Sequence, residues 1–140
     1  MDLEAFLMDN CPAEIVSEVK AADLQNPGGD DIFFAVENQN PGPVCVLAST
    51  LYLAPHMSAR ANPDVQIGFL TSVATYAGLF PPEAMPIIAA AFQRLPLTDG
   101  NAFIYFSALR LNRLDMRERL NGTIVPDWTF AHPRDAGTTT

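Results

Sequence analysis

Basic residues are nearly missing from the first third of this chain. Up to Pro43 there is one lysine, Lys20, against nine acids, so this third carries the whole net charge of −8. Residues 44–140 hold seven acids and seven arginines and are neutral. A surface without clustered Lys or Arg cannot neutralise a phosphate backbone, which excludes direct nucleic-acid binding as an expected activity. An asymmetry of this kind bears on partners and solubility rather than on fold.

Cysteine and histidine are equally sparse. Cys11 and Cys45 form no CxxC and have no histidine pair nearby, so they are expected to be small buried hydrophobes and not a disulfide framework or a zinc site. His56 and His132 do not stand at ligand spacing, and no metal is expected. No G-x-S-x-G elbow occurs, and Gly28-Gly29 does not lead into a helix carrying Lys and Ser/Thr, so there is no phosphate loop. The chain thus offers no signature of an enzyme and none of a cofactor.

Long apolar runs are lacking too. Residues 44–57 are interrupted by Pro55, and residues 65–80 end at Pro81. Both runs are shorter than the roughly 18–20 residues a membrane span needs, and neither has a Lys/Arg-rich flank. No membrane partner is expected. The first ten residues, MDLEAFLMDN, carry three acids and no base, the reverse of a secretory leader, which predicts a cytoplasmic protein.

What the sequence does contain is a core. Of 140 residues, 49% are apolar and 17% charged, enough to fold one domain. Nine phenylalanines against three tyrosines and one tryptophan point to a dry interior. Twelve prolines stand mostly where helices would begin or end. After Pro12, the positions of Ile15, Val19 and Ala22 fall on one face of an amphipathic helix. Asn62-Pro63-Asp64 is a helix start, and residues 65–79 read as a helix apolar nearly all round and hence central. Its Gly68, Ser72 and Thr75 share a face that would admit a close neighbour. A further helix is expected over 83–95, regular from Pro86, and another over 102–120, where strand is the alternative.

The tetrapeptide QNPG occurs twice, at Gln25–Gly28 and Gln39–Gly42. Pro and Gly enforce a turn and Asn tolerates a helix exit, so the two copies isolate DDIFFAVEN as a short element. Two leading acids fit a helix cap. The alternation of Ile32, Phe34 and Val36 fits a strand, with a four-residue hairpin loop into the piece after Pro43. The expected fold is mainly α, a compact bundle of five or six short helices; the alternative is α+β with a hairpin at 31–53. Residues 1–122 would form a single helical domain, and 123–140 an extended arm with a disordered tip.

Three surfaces stand out. The segment between the turns offers Asp30, Asp31, Phe34 and Glu37 as a partner-binding edge, with Ile32, Phe33 and Val36 packed inward. Arg110, Arg113 and Arg117, at i, i+3 and i+7, form a stripe for an anionic partner, for the acidic third of the same domain or for a second copy. Trp128 and Phe130, between two prolines, form an aromatic latch. The expectation is a small acidic, non-catalytic protein that binds another protein, a basic one by charge. It would serve as an inhibitor, immunity, adaptor or chaperone-like factor, or oppose a basic nucleic-acid-handling partner. The alternatives are an assembly protein acting as a homo-oligomer, and a small-ligand binder or enzyme with an apolar pocket.

Overall fold

The computed structural model describes residues 1–25, 31–96, 98 and 101. Within them the chain is built from six α-helices and no strand. They are α1 (Leu3–Asn10), α2 (Ala13–Ala21), α3 (Ile32–Asn38), α4 (Pro43–Leu53), α5 (Pro63–Thr75) and α6 (Met85–Arg94). Single 3-10 turns follow α4 and α5 and precede α6. The mainly α bundle is therefore the architecture, and the hairpin at 31–53 is overturned. Strand alternation would have placed Phe34 inward with Ile32 and Val36; instead Phe33 and Val36 are buried and Phe34 is exposed, a helical spacing.

Local chemistry sets the helix starts. Asp2 accepts from the backbone N–H of Ala5, Asp31 from that of Phe33 and Asn62 from that of Asp64, each filling donors that the first turn cannot use. Pro43 and Pro63 supply the fixed φ of a first turn. The second QNPG ends α3 as expected: Asn40 is left-handed at φ 52° and Gly42 turns at φ 96° into α4. Pro55 converts the end of α4 to a 3-10 turn, because its ring cannot continue the α ladder.

Helix directions follow from the contacts. Lys20, at the end of α2, pairs with Glu4 at the start of α1, so these two run antiparallel. α4 is buried on nearly every side, and Ser49 and Thr50 satisfy their hydroxyls on the carbonyls of Cys45 and Val46. α3 lies along α5: Asp31 rests on Gly68, and the Phe33 and Phe69 rings meet edge-on at 5.8 Å. Phe69 in turn meets Phe92 of α6 at 6.4 Å, so three helices share one aromatic cluster. Arg94 fastens the end of α6 to the end of α4 by donating to the carbonyls of Ala54 and Met57, both at 2.7 Å.

The cysteines are a correction. Cys11, just past α1, and Cys45, in the first turn of α4, form a disulfide with Cα atoms 4.9 Å apart. A half-buried Cys11 and a buried Cys45 replace the two independent buried thiols expected from spacing. Antiparallel packing of α1 on α4 brings together residues 34 apart, which no local pattern encodes. Among the described residues no helix is long and apolar enough to cross a membrane.

Candidate functional site

α3 combines a buried face with an exposed one in only seven residues. Phe33 and Val36 enter the core, while Ile32 is half-buried against it. The opposite face shows Phe34, 47% exposed, and Glu37, which are neighbours at i, i+3. The two aromatics of this helix thus face opposite ways, Phe33 into the core and Phe34 outward. Glu37 acts on Tyr76, just past α5; burial first, and then this carboxylate, raise the Tyr76 phenol above its ordinary value. Leu79, whose N–H donates to the Tyr76 carbonyl, adds exposed apolar surface at the same end. At the exit of α3, Gln39 donates to Glu18 of α2 at 2.8 Å and back to the Ala35 carbonyl at 3.2 Å. Glu18 is thereby held beside α3.

Asp31 has a different place. Its Oδ1 caps α3 by accepting from Phe33 N–H at 2.9 Å, while Oδ2 is buried without a hydrogen-bond partner among the described residues. A Cβ on Gly68 would overlap Oδ2 and come within 2.6 Å of Oδ1, so the carboxylate fills the space that glycine leaves. Desolvation raises its pKa above the usual 3.8, against the nearby backbone N–H groups of Phe33 and Phe34, which lower it; Asp64 adds a further upward push. The small-residue face of α5 thus receives a carboxylate.

Of the nominated surface residues, α3 brings Phe34 and Glu37 together on its outer face and turns Asp31 inward. Asp30, Arg110, Arg113, Arg117, Trp128 and Phe130 lie outside the described residues.

Other acids of the first third divide by role. Asp2 caps α1, Asp23 accepts from Gln25 N–H at 3.1 Å, and Glu4 pairs with Lys20. That pair is the sole salt bridge among the described residues. Asp9, Glu14 and Glu37 are exposed carboxylates with no basic partner there.

One cluster had no signal in the sequence beyond the i, i+4 spacing of Tyr52 and His56. Their rings meet at 6.1 Å beside Lys20 of α2, lining a hollow of about 310 Å³ with Gln25 and an apolar floor that includes Val19 and Leu53. A second, more apolar groove of about 280 Å³ lies among Pro55, Pro86, Ile87, Ala90 and Arg94.

No family model, curated protein or solved structure matches this chain.

Proposed function

We propose that this is a small, acidic, non-catalytic protein that works by binding a basic protein partner on the outer face of α3. The observation that carries the reading is Phe34, exposed beside Glu37 on the face of α3 opposite the buried Phe33 and Val36. An aromatic anchor with a carboxylate beside it is the surface a partner presenting Lys or Arg next to an apolar pocket would take. The excess of exposed acids over bases in the first third supplies the steering field.

Phe34→Ala and Glu37→Lys test it. Each should weaken retention of the partner by about tenfold or more, the effect of an anchor worth ~1.4 kcal/mol or above. Glu83→Lys, which makes the same charge change on the exposed turn before α6, should leave retention unchanged. Equal retention by all three variants contradicts the reading.

The hollow beside Lys20, Tyr52 and His56 supports a second reading, a small-ligand binder. Native mass spectrometry of protein purified without denaturant would show a bound small molecule that Tyr52→Ala releases; bare protein in both spectra counts against it.

A further inference from the structure

We propose that Asp31 is a proton-operated latch that fastens the first turn of α3 to α5, holding α3 more firmly in mildly acidic than in neutral solution. The geometry is that of a carboxyl pressed into a glycine seat. Oδ1 is engaged as the helix cap, and Oδ2 is buried over Gly68 with no donor among the described residues. A charged oxygen without a partner is the costly state of such a group, whereas the neutral carboxyl loses most of that cost.

The surroundings reinforce the preference. From α5 the one ionisable side chain is Asp64, and it is negative. α4 adds no acid or base: Cys45 is in the disulfide, and the helix's remaining ionisable group, the Tyr52 phenol, lines the hollow with Lys20 and His56 and does not act on Asp31. α3 itself adds Glu37, near Tyr76, and Glu18 of α2 is engaged by Gln39. Asp30, next in sequence and outside the described residues, is a further acid. No described Lys, Arg or His acts on Asp31.

The direction follows from proton linkage. A carboxyl that binds its proton more tightly folded than unfolded takes up protons on folding, so stability falls as pH rises between the two pKa values and stays low above both. The window opens at the ordinary 3.8 and closes at the raised folded value. Glu37 and Phe34 ride on the helix so held. The consequence for docking rests on the reading of α3 as the partner face, but the latch does not.

Asp31→Asn separates the two, because asparagine caps a helix as well as aspartate does and cannot ionise. Denaturant unfolding of the full chain and of D31N, from pH 4 to pH 8, needs no partner. The variant should gain on the native chain as pH rises from 4, by up to tenfold in folded-to-unfolded ratio per pH unit inside the window, and then hold a constant lead. A difference independent of pH, or a native chain that gains on the variant toward neutrality, overturns the latch. If D31N does not fold, carbon-detected titration of the Asp31 carboxyl in the native chain decides: a midpoint above 3.8 supports the proposal and one at or below it refutes it. Partner binding that fails while this titration holds would remove the docking reading alone.

Discussion

Gly68 illustrates how a single missing methyl group arranges this molecule. Alanine is a better helix former than glycine by about 1 kcal/mol, so an unencumbered Gly68→Ala should stabilise α5. Here the new Cβ would overlap the Asp31 carboxylate, which is braced by its own cap hydrogen bond. Gly68→Ala is therefore expected to lower stability by about 1–3 kcal/mol, the range for overpacking, as read from the denaturant midpoint. A rise in the midpoint would show that the carboxyl yields freely. The sequence revealed half of this contact. Two acids before an apolar run announce a cap, and Gly68 lies on a stripe of small residues. That the cap would land on the stripe depends on packing between residues 37 apart, which neither segment encodes alone.

At the scale of elements, proline made most boundaries readable. Pro43 and Pro63 stand at helix starts, and Pro55 changes the end of α4, as their fixed φ and missing N–H require. α1 is short and its acids dominate the character of MDLEAFLMDN, so its helical signals are local ones, the Asp2 cap and the i, i+4 spacing of Leu3 and Leu7. α1 is also the element most dependent on a bond the sequence did not disclose. Tying residues 34 apart restricts the unfolded chain by an amount the chain-entropy model puts at about 3–4 kcal/mol. Reduction, followed by thiol labelling to confirm it, should lower the unfolding midpoint accordingly; an unchanged midpoint would leave α1 held by packing alone. The α6–α4 junction makes a parallel demand. Arg94 places two N–H groups on the Ala54 and Met57 carbonyls, so Arg94→Ala should cost about 1.5–3 kcal/mol. Arg94→Lys should recover part of that, since an ammonium keeps the charge but not the planar fork.

The described residues form an apolar helical core, and the net negative charge of the chain lies in its first 43 residues. The aggregate charge was legible from composition, but its allotment was not. Some carboxylates cap helices, one pairs with Lys20, one is seated on glycine, and Glu37 remains beside an exposed phenylalanine. The last placement is the one we propose as a surface for a partner. Because such a surface works by opposite charge, partner association should slow markedly as salt is raised from 50 mM to 500 mM, while dissociation changes less. Stopped-flow mixing at several ionic strengths distinguishes this from an apolar interface, whose association rate is nearly insensitive to salt.

The most direct test of the docking face is photo-crosslinking from the position of Phe34 in the full-length protein, with the same crosslinker placed at Glu83 for comparison. A discrete protein adduct from position 34, absent from position 83 and diminished by Glu37→Lys, is the expected result. Its absence from position 34, or the same adduct from both positions, would contradict the assignment of α3 as the partner-binding face.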